Sequence, residues 1–227
     1  MKHTLFASSI AAVCLLGSAR AADASYTTFY DQKGSSDISF SLGDVSGSVV
    51  KTADSNFFQR PEGGYTWSNT AALEAMNEDL GLTLDTSVLQ YIVAPGAQYS
   101  NATLTLDFTS SDYSEGDTVT IYLTVGSTAS TVTGVTLTGL DSCTISYAVG
   151  DGDGFSSEAS FSEGAGSITL LKVTGTLTSA ETVTATTNVT KDGFGFVALS
   201  ASAVPEPATA TLGLLALGAL ALRRRRA

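Results

Sequence analysis

Thr118-Val119-Thr120-Ile121-Tyr122-Leu123-Thr124-Val125-Gly126 decides the fold. Val119, Ile121, Leu123 and Val125 share one parity, and Thr118, Thr120, Tyr122 and Thr124 share the other. A period of two is the mark of an extended strand with one face turned to a core. Threonine on the alternate positions suits a half-solvated antiparallel sheet. Upstream, Ala102 to Thr109 sets Leu104, Leu106 and Phe108 against Thr103, Thr105 and Asp107. Downstream the pattern returns in Gly134 to Gly139, Cys143 to Gly150, Phe155 to Ser162, Ser167 to Thr178, Thr182 to Val189 and Phe194 to Ser202. Asp37 to Leu42 and Gly47 to Lys51 are weaker strands of the same kind. Within Ile168 to Leu177 the apolar phase slips between Leu170 and Leu171, which predicts a β-bulge there.

Turn chemistry separates these runs: Ser114-Glu115-Gly116-Asp117, Gly150 to Gly154, and Lys191-Asp192-Gly193. The regular recurrence of short strands is that of a sandwich or jelly roll. One helix interrupts it. Asn69 or Thr70 can cap its start, Gly81 can end it, and Leu73, Met76 and Leu80 make one apolar stripe. The expected fold is all-β: an antiparallel, jelly-roll-like β-sandwich, with the helix plugging one open end or edge. A signal helix is expected before it and a transmembrane helix after it.

The two ends read as addresses. Met1-Lys2-His3 is a short basic start, Leu5 to Gly17 is apolar, and Ala19-Arg20-Ala21 places small residues where a signal peptidase reads them. The signal peptide is therefore 1–21, with cleavage after Ala21. Cys14 falls inside that discarded segment. At the other end Val204-Pro205-Glu206-Pro207 forms a stiff turn, since the prolines fix φ and remove two backbone donors. The apolar run Ala208 to Leu222 follows, about 22 Å long as a helix and short for a bilayer near 30 Å. Arg223, Arg224, Arg225 and Arg226 close it and should stay on the cytoplasmic side.

Those three ordered parts resemble the bacterial PEP-CTERM sorting signal over the last 24 residues or so. The resemblance implies membrane insertion in transit, cleavage beside Pro205 to Pro207 by an exosortase-type enzyme, and delivery to the cell envelope, surface or extracellular space. It implies nothing about the passenger, residues 22–203; the sorting segment is 204–227.

Without its two ends the chain changes character. Of the 22 acids only Glu206 lies in the tail; of the 11 bases, Lys2, Arg20 and the four terminal arginines leave. Twenty-one acids against five bases give the passenger a net charge of −16. Such a surface is self-repelling and excludes nucleic acid as a partner. The passenger holds no histidine, because His3 is the only one. That excludes a Ser-His-Asp triad, a Cys-His pair and a His-ligated zinc. It holds one cysteine, Cys143, so no intrachain disulfide forms; its parity with Ile145 and Tyr147 predicts a buried thiol.

Two patterns could bind. Asp151-Gly152-Asp153-Gly154 sets alternate carboxylates on a glycine turn, a shape that can hold calcium with backbone carbonyls completing the shell. It departs from an EF-hand loop at Phe155 and Ser162, and a plain Asp-Gly turn explains the same residues. Tyr65 and Trp67, with Phe57 and Phe58 nearby, could form an aromatic platform for carbohydrate. Trp67 just before the helix could equally staple helix to sheet. A glycosidase needs only two facing carboxylates, but the acids sit in turns beside Gly and Ser. The sequence therefore reads as a non-enzymatic, exported structural or interaction protein of the extracellular matrix. A carbohydrate-binding module, possible with calcium as stabiliser, is the alternative, and a carboxylate-dependent glycan-active enzyme the third reading.

Overall fold

The computed structural model describes residues 25–52, 56–60, 66–96, 101–126, 134–157, 167–189 and 192–202. The predicted signal peptide, the Val204 to Pro207 turn, the apolar run and the arginine block lie outside them. One compact unit runs from Ala22 to Ser202.

Twelve strands build two antiparallel sheets: β1 Ser25–Thr28, β2 Ile38–Leu42, β3 Val45–Lys51, β4 Phe57–Arg60, β5 Ile92–Pro95, β6 Ala102–Asp107, β7 Thr118–Gly126, β8 Val135–Thr138, β9 Leu140–Val149, β10 Ile168–Leu177, β11 Thr182–Thr187 and β12 Gly193–Ser202. The larger sheet runs β4-β5-β12-β7-β10-β9, and the smaller β2-β3-β6-β11-β8. β1 joins the larger sheet by pairing Tyr26 with Ala198 and Thr28 with Phe196 of β12. From β6 onward the chain passes back and forth between the sheets, except that β9 and β10 are consecutive neighbours in the larger one. It leaves β12 between β5 and β7, and β11 between β6 and β8, the nested winding of a jelly roll.

The inner faces meet in one core. Leu104 and Leu106 of β6, Val119, Ile121, Leu123 and Val125 of β7, Leu171 and Val173 of β10, and Val197 and Leu199 of β12 all belong to it. The outer face of the larger sheet is buried as well. There Tyr122, Leu170, Phe196 and Ala198 pack with Leu73, Met76 and Leu80 of the helix α1, Thr70–Leu80. Each fully buried side chain of this size contributes roughly 1.5–3 kcal/mol. The helix is capped by Asn69, whose side chain accepts from Ala72 N at 3.0 Å, and ends at Gly81 with φ +63°. It covers a sheet face and does not plug an end or edge. The face it covers carries Tyr122, Leu170 and Phe196, which would otherwise stand in water.

That double burial corrects the expected bulge at Leu170–Leu171. β10 pairs with β7 in unbroken register from Ile168 to Thr176. Leu170 faces the helix and Leu171 the inner core, so both parities are apolar without any slip. The irregularity lies further along, where Ser142 and Cys143 of β9 oppose Gly175 alone, with Ser142 at φ 51°. The predicted burial of Cys143 fails for the same reason: β9 is the edge strand, its bulge breaks the parity there, and Cys143 is exposed. Of the strand expected at Phe155 to Ser162, the described part forms only a bridge between Ser156 and Tyr147. A second irregularity sits in β12, where Gly195 and Phe196 together oppose Thr124. It sends Phe194 inward and Phe196, of the same parity, to the helix side.

Candidate functional site

The turn at Asp151–Gly154 is organised from within by Asn69. This side chain is 1% exposed and uses all four of its hydrogen-bonding positions. Its Nδ2 donates to the Val149 carbonyl at 3.0 Å and to the Gly154 carbonyl at 3.1 Å. Its Oδ1 accepts from Ala72 N and, at 2.8 Å, from Gly154 N. The Gly150 carbonyl in turn accepts from the backbone N–H groups of Ser68 and Asn69 at 2.6 and 2.9 Å. One residue thus caps the helix and straps the β9 turn to it. Two carbonyls that a cation would need are already engaged by an amide. Asp151 and Asp153 themselves are exposed. Among the described residues no three His, Cys, Asp or Glu side chains gather where they could hold a metal ion.

Trp67 is 5% exposed and packs in the helix–sheet cluster, with Nε1 donating to the Asn69 carbonyl at 3.0 Å. Its ring is the staple between helix and sheet, so it offers no face to a sugar. Phe57 is buried in the inner core and Phe58 is exposed; Tyr65 lies outside the described residues.

A polar tie holds the far end of the helix. Tyr122 Oη and Lys172 Nζ both donate to Asp79 Oδ2. Partial burial works to raise the Asp79 pKa, but the hydrogen bonds from Lys172 and Tyr122 and the Lys172 charge outweigh it and hold the carboxyl below its usual range. Burial, with the Asp79 carboxylate beside it, pushes the Tyr122 phenol far above its ordinary value. The group is a protonated donor locked to an acceptor, which fixes structure and leaves no proton to exchange near neutral pH.

Other carboxylates serve turns. Asp107 accepts from the Thr109 hydroxyl and N–H, which lowers its pKa, and Asp85 does the same with Ser87. Asp117 accepts from Ser114 N at 2.8 Å and Asp44 from Asp112 N at 3.0 Å. Partial burial raises the pKa of Cys143, so its thiol is not activated.

The sequence reading did not identify one feature, an open groove of about 250 Å³ lined by Thr28, Tyr30, Ser87, Val88, Tyr91 and Gly195. Tyr30 and Tyr91 meet edge to face with ring centroids 4.6 Å apart. The groove joins residues 28 and 195, brought together because β1 pairs with the last strand. Ser25-Tyr26-Thr27-Thr28 carries one aromatic among hydroxyl residues and no apolar alternation, so it offers no signal of a strand.

No curated protein and no solved structure matches this chain. A family model does match residues 203–226, described as the PEP-CTERM protein-sorting motif. The match begins one residue after β12 ends at Ser202. The chain thus carries a PEP-CTERM sorting motif at its C-terminus, the mark of an exported protein that an exosortase processes at the membrane for the cell envelope or surface.

Proposed function

We propose that residues 22–203 are a non-catalytic structural or interaction module of the extracellular matrix, released from residues 204–227 by cleavage beside Pro205 to Pro207. The observation that carries this reading is the abrupt junction between folded unit and motif: the unit ends at Ser202 and the motif starts at 203. Removal of the tail takes away none of the strands of the described residues. The carboxylates support the non-catalytic part. Asp44, Asp79, Asp85, Asp107 and Asp117 hold turns or the helix, so each already has a structural task. The signal peptidase and an exosortase are the processing partners in this reading, with cleavage after Ala21 at the front.

Mass spectrometry of the mature protein from its native host tests it. Loss of everything beyond the Pro-Glu-Pro turn is expected. A mature chain still ending in Arg226-Ala227 overturns the cleavage and leaves a membrane-anchored domain. Carbohydrate binding is the second reading. The buried Trp67 removes its original platform, and the Tyr30–Tyr91 groove supplies another.

A further inference from the structure

We propose that the Tyr30–Tyr91 groove binds one neutral pyranose ring of a polysaccharide. This deepens the surface-interaction reading by naming a ligand class, and it rests on that reading only for where the ligand is met. Size comes first. At about 250 Å³ the groove lies below the ~300–1,000 Å³ of sites that enclose a drug-sized ligand, and it has room for a single ring.

The lining chemistry selects a sugar. Tyrosine joins an apolar ring to a polar hydroxyl, matching a pyranose with its C–H faces and hydroxyl rim. Tyr30 is 46% exposed, and its ring is propped edge to face against Tyr91. A ring held in this way loses little freedom on binding. The Thr28 hydroxyl adds a donor and acceptor on the same wall. Gly195 lines the groove too, and its lack of a Cβ lets the chain lie close to the Tyr91 carbonyl and the Thr124 hydroxyl.

Charge then narrows the class. None of the lining residues is charged, in a chain with 22 acids and 11 bases. The Ser87 hydroxyl donates to Asp85, so an acidic sugar would meet like charge there. Tyr26 argues for a chain rather than a free monosaccharide. It lies two residues from Thr28 on the same face of β1, about 7 Å along the strand. It is 43% exposed and stacks on Phe196 with centroids 5.9 Å apart, a second ring for the next sugar residue.

Affinity electrophoresis of the full chain in detergent tests this, through gels containing a neutral glucan, galactan or mannan, with alginate as the acidic polysaccharide. At least one neutral gel should retard the protein. Tyr30→Ala and Tyr91→Ala should weaken that retardation at least tenfold, while Tyr30→Phe and the exposed control Phe58→Ala keep most of it. Tyr30 is half exposed, so Tyr30→Ala keeps the fold and decides the matter even if Tyr91→Ala melts early. No retardation in any neutral gel, retardation by alginate alone, or full binding by Tyr30→Ala each overturns the proposal. An uncleaved tail found by mass spectrometry leaves this binding result untouched, so the two readings fail separately.

Discussion

The two sheets treat their outer faces in opposite ways. The smaller sheet leaves Ser48, Thr105, Thr184 and Thr138 in register across four strands, with Thr138 and Thr184 joined at 2.6 Å and Thr103 and Thr186 at 2.9 Å. Water and neighbouring hydroxyls satisfy this face. The larger sheet carries Tyr122, Leu170 and Phe196 outward and needs a helix over them. One sandwich therefore has a two-layer half and a three-layer half. The difference teaches that alternation marks a strand without saying whether its second face is wet: β7 alternates threonine with aliphatics although both its faces are dry from Ile121 on, while β10 loses the alternation at Leu170–Leu171.

The largest test of that contrast is Leu170→Ala. It should cost about 2–5 kcal/mol in urea unfolding, as for a core leucine, whereas Thr105→Ala on the opposite outer face should stay within about 0.5 kcal/mol. Equal effects would mean the helix layer is not part of the core. Next comes Asn69→Ala, which removes the cap, takes the side-chain donor from the Gly154 carbonyl and leaves the Val149 carbonyl only the Gly152 N–H. About 2–3 kcal/mol is expected. Hydrogen exchange should quicken at Gly154 and Ala72, the two amides that donate to its Oδ1; unchanged protection there would sink the strap.

The pH response should be smaller. Asp79 has a folded pKa below its unfolded one, so its contribution is present above about pH 4 and fades as pH falls through the folded value. Tyr122 has a folded pKa above its unfolded one, so the unfolded chain loses that proton first and stability falls as pH climbs past about 10. Asp79→Asn should flatten the acid limb by under about 1 kcal/mol, since the carboxylate is partly in solvent. Smallest is calcium: with Asn69 filling the turn, millimolar calcium should leave the melting temperature unmoved. A rise that vanishes in Asp151→Ala/Asp153→Ala would restore the metal reading.

Much of the architecture was legible. β7 was bounded to the residue, and α1 with its Gly81 stop followed from local chemistry, while the cap stood between Asn69 and Thr70. β1, β4 and β5 went unread because Ser25-Tyr26-Thr27-Thr28, Phe57-Phe58-Gln59-Arg60 and Ile92-Val93-Ala94-Pro95 do not alternate apolar with polar residues, unlike the equally short β8, and β5 is buried throughout. The apolar slip at Leu170–Leu171 was visible, but the same pattern arises from a bulge or from a second covered face, and only the helix's position distinguishes them. Trp67 lies in the helix–sheet cluster, one of the two places its sequence position allowed, whereas the Tyr30–Tyr91 groove depends on contacts between residues distant in sequence that no local pattern encodes.

The position of β12 has a kinetic consequence. The last strand is an interior one, hydrogen-bonded to β7 on one side and to β1 and β5 on the other, with Ser25 paired to Leu199 across almost the whole domain. Contacts of such sequence separation form late and slowly. The β2–β3 hairpin is local and can form early, yet without residues 193–202 the larger sheet stays split into β4-β5 and β7-β10-β9. The sorting motif begins at residue 203, directly after this strand, so the sheet closes only once the chain is complete up to the motif.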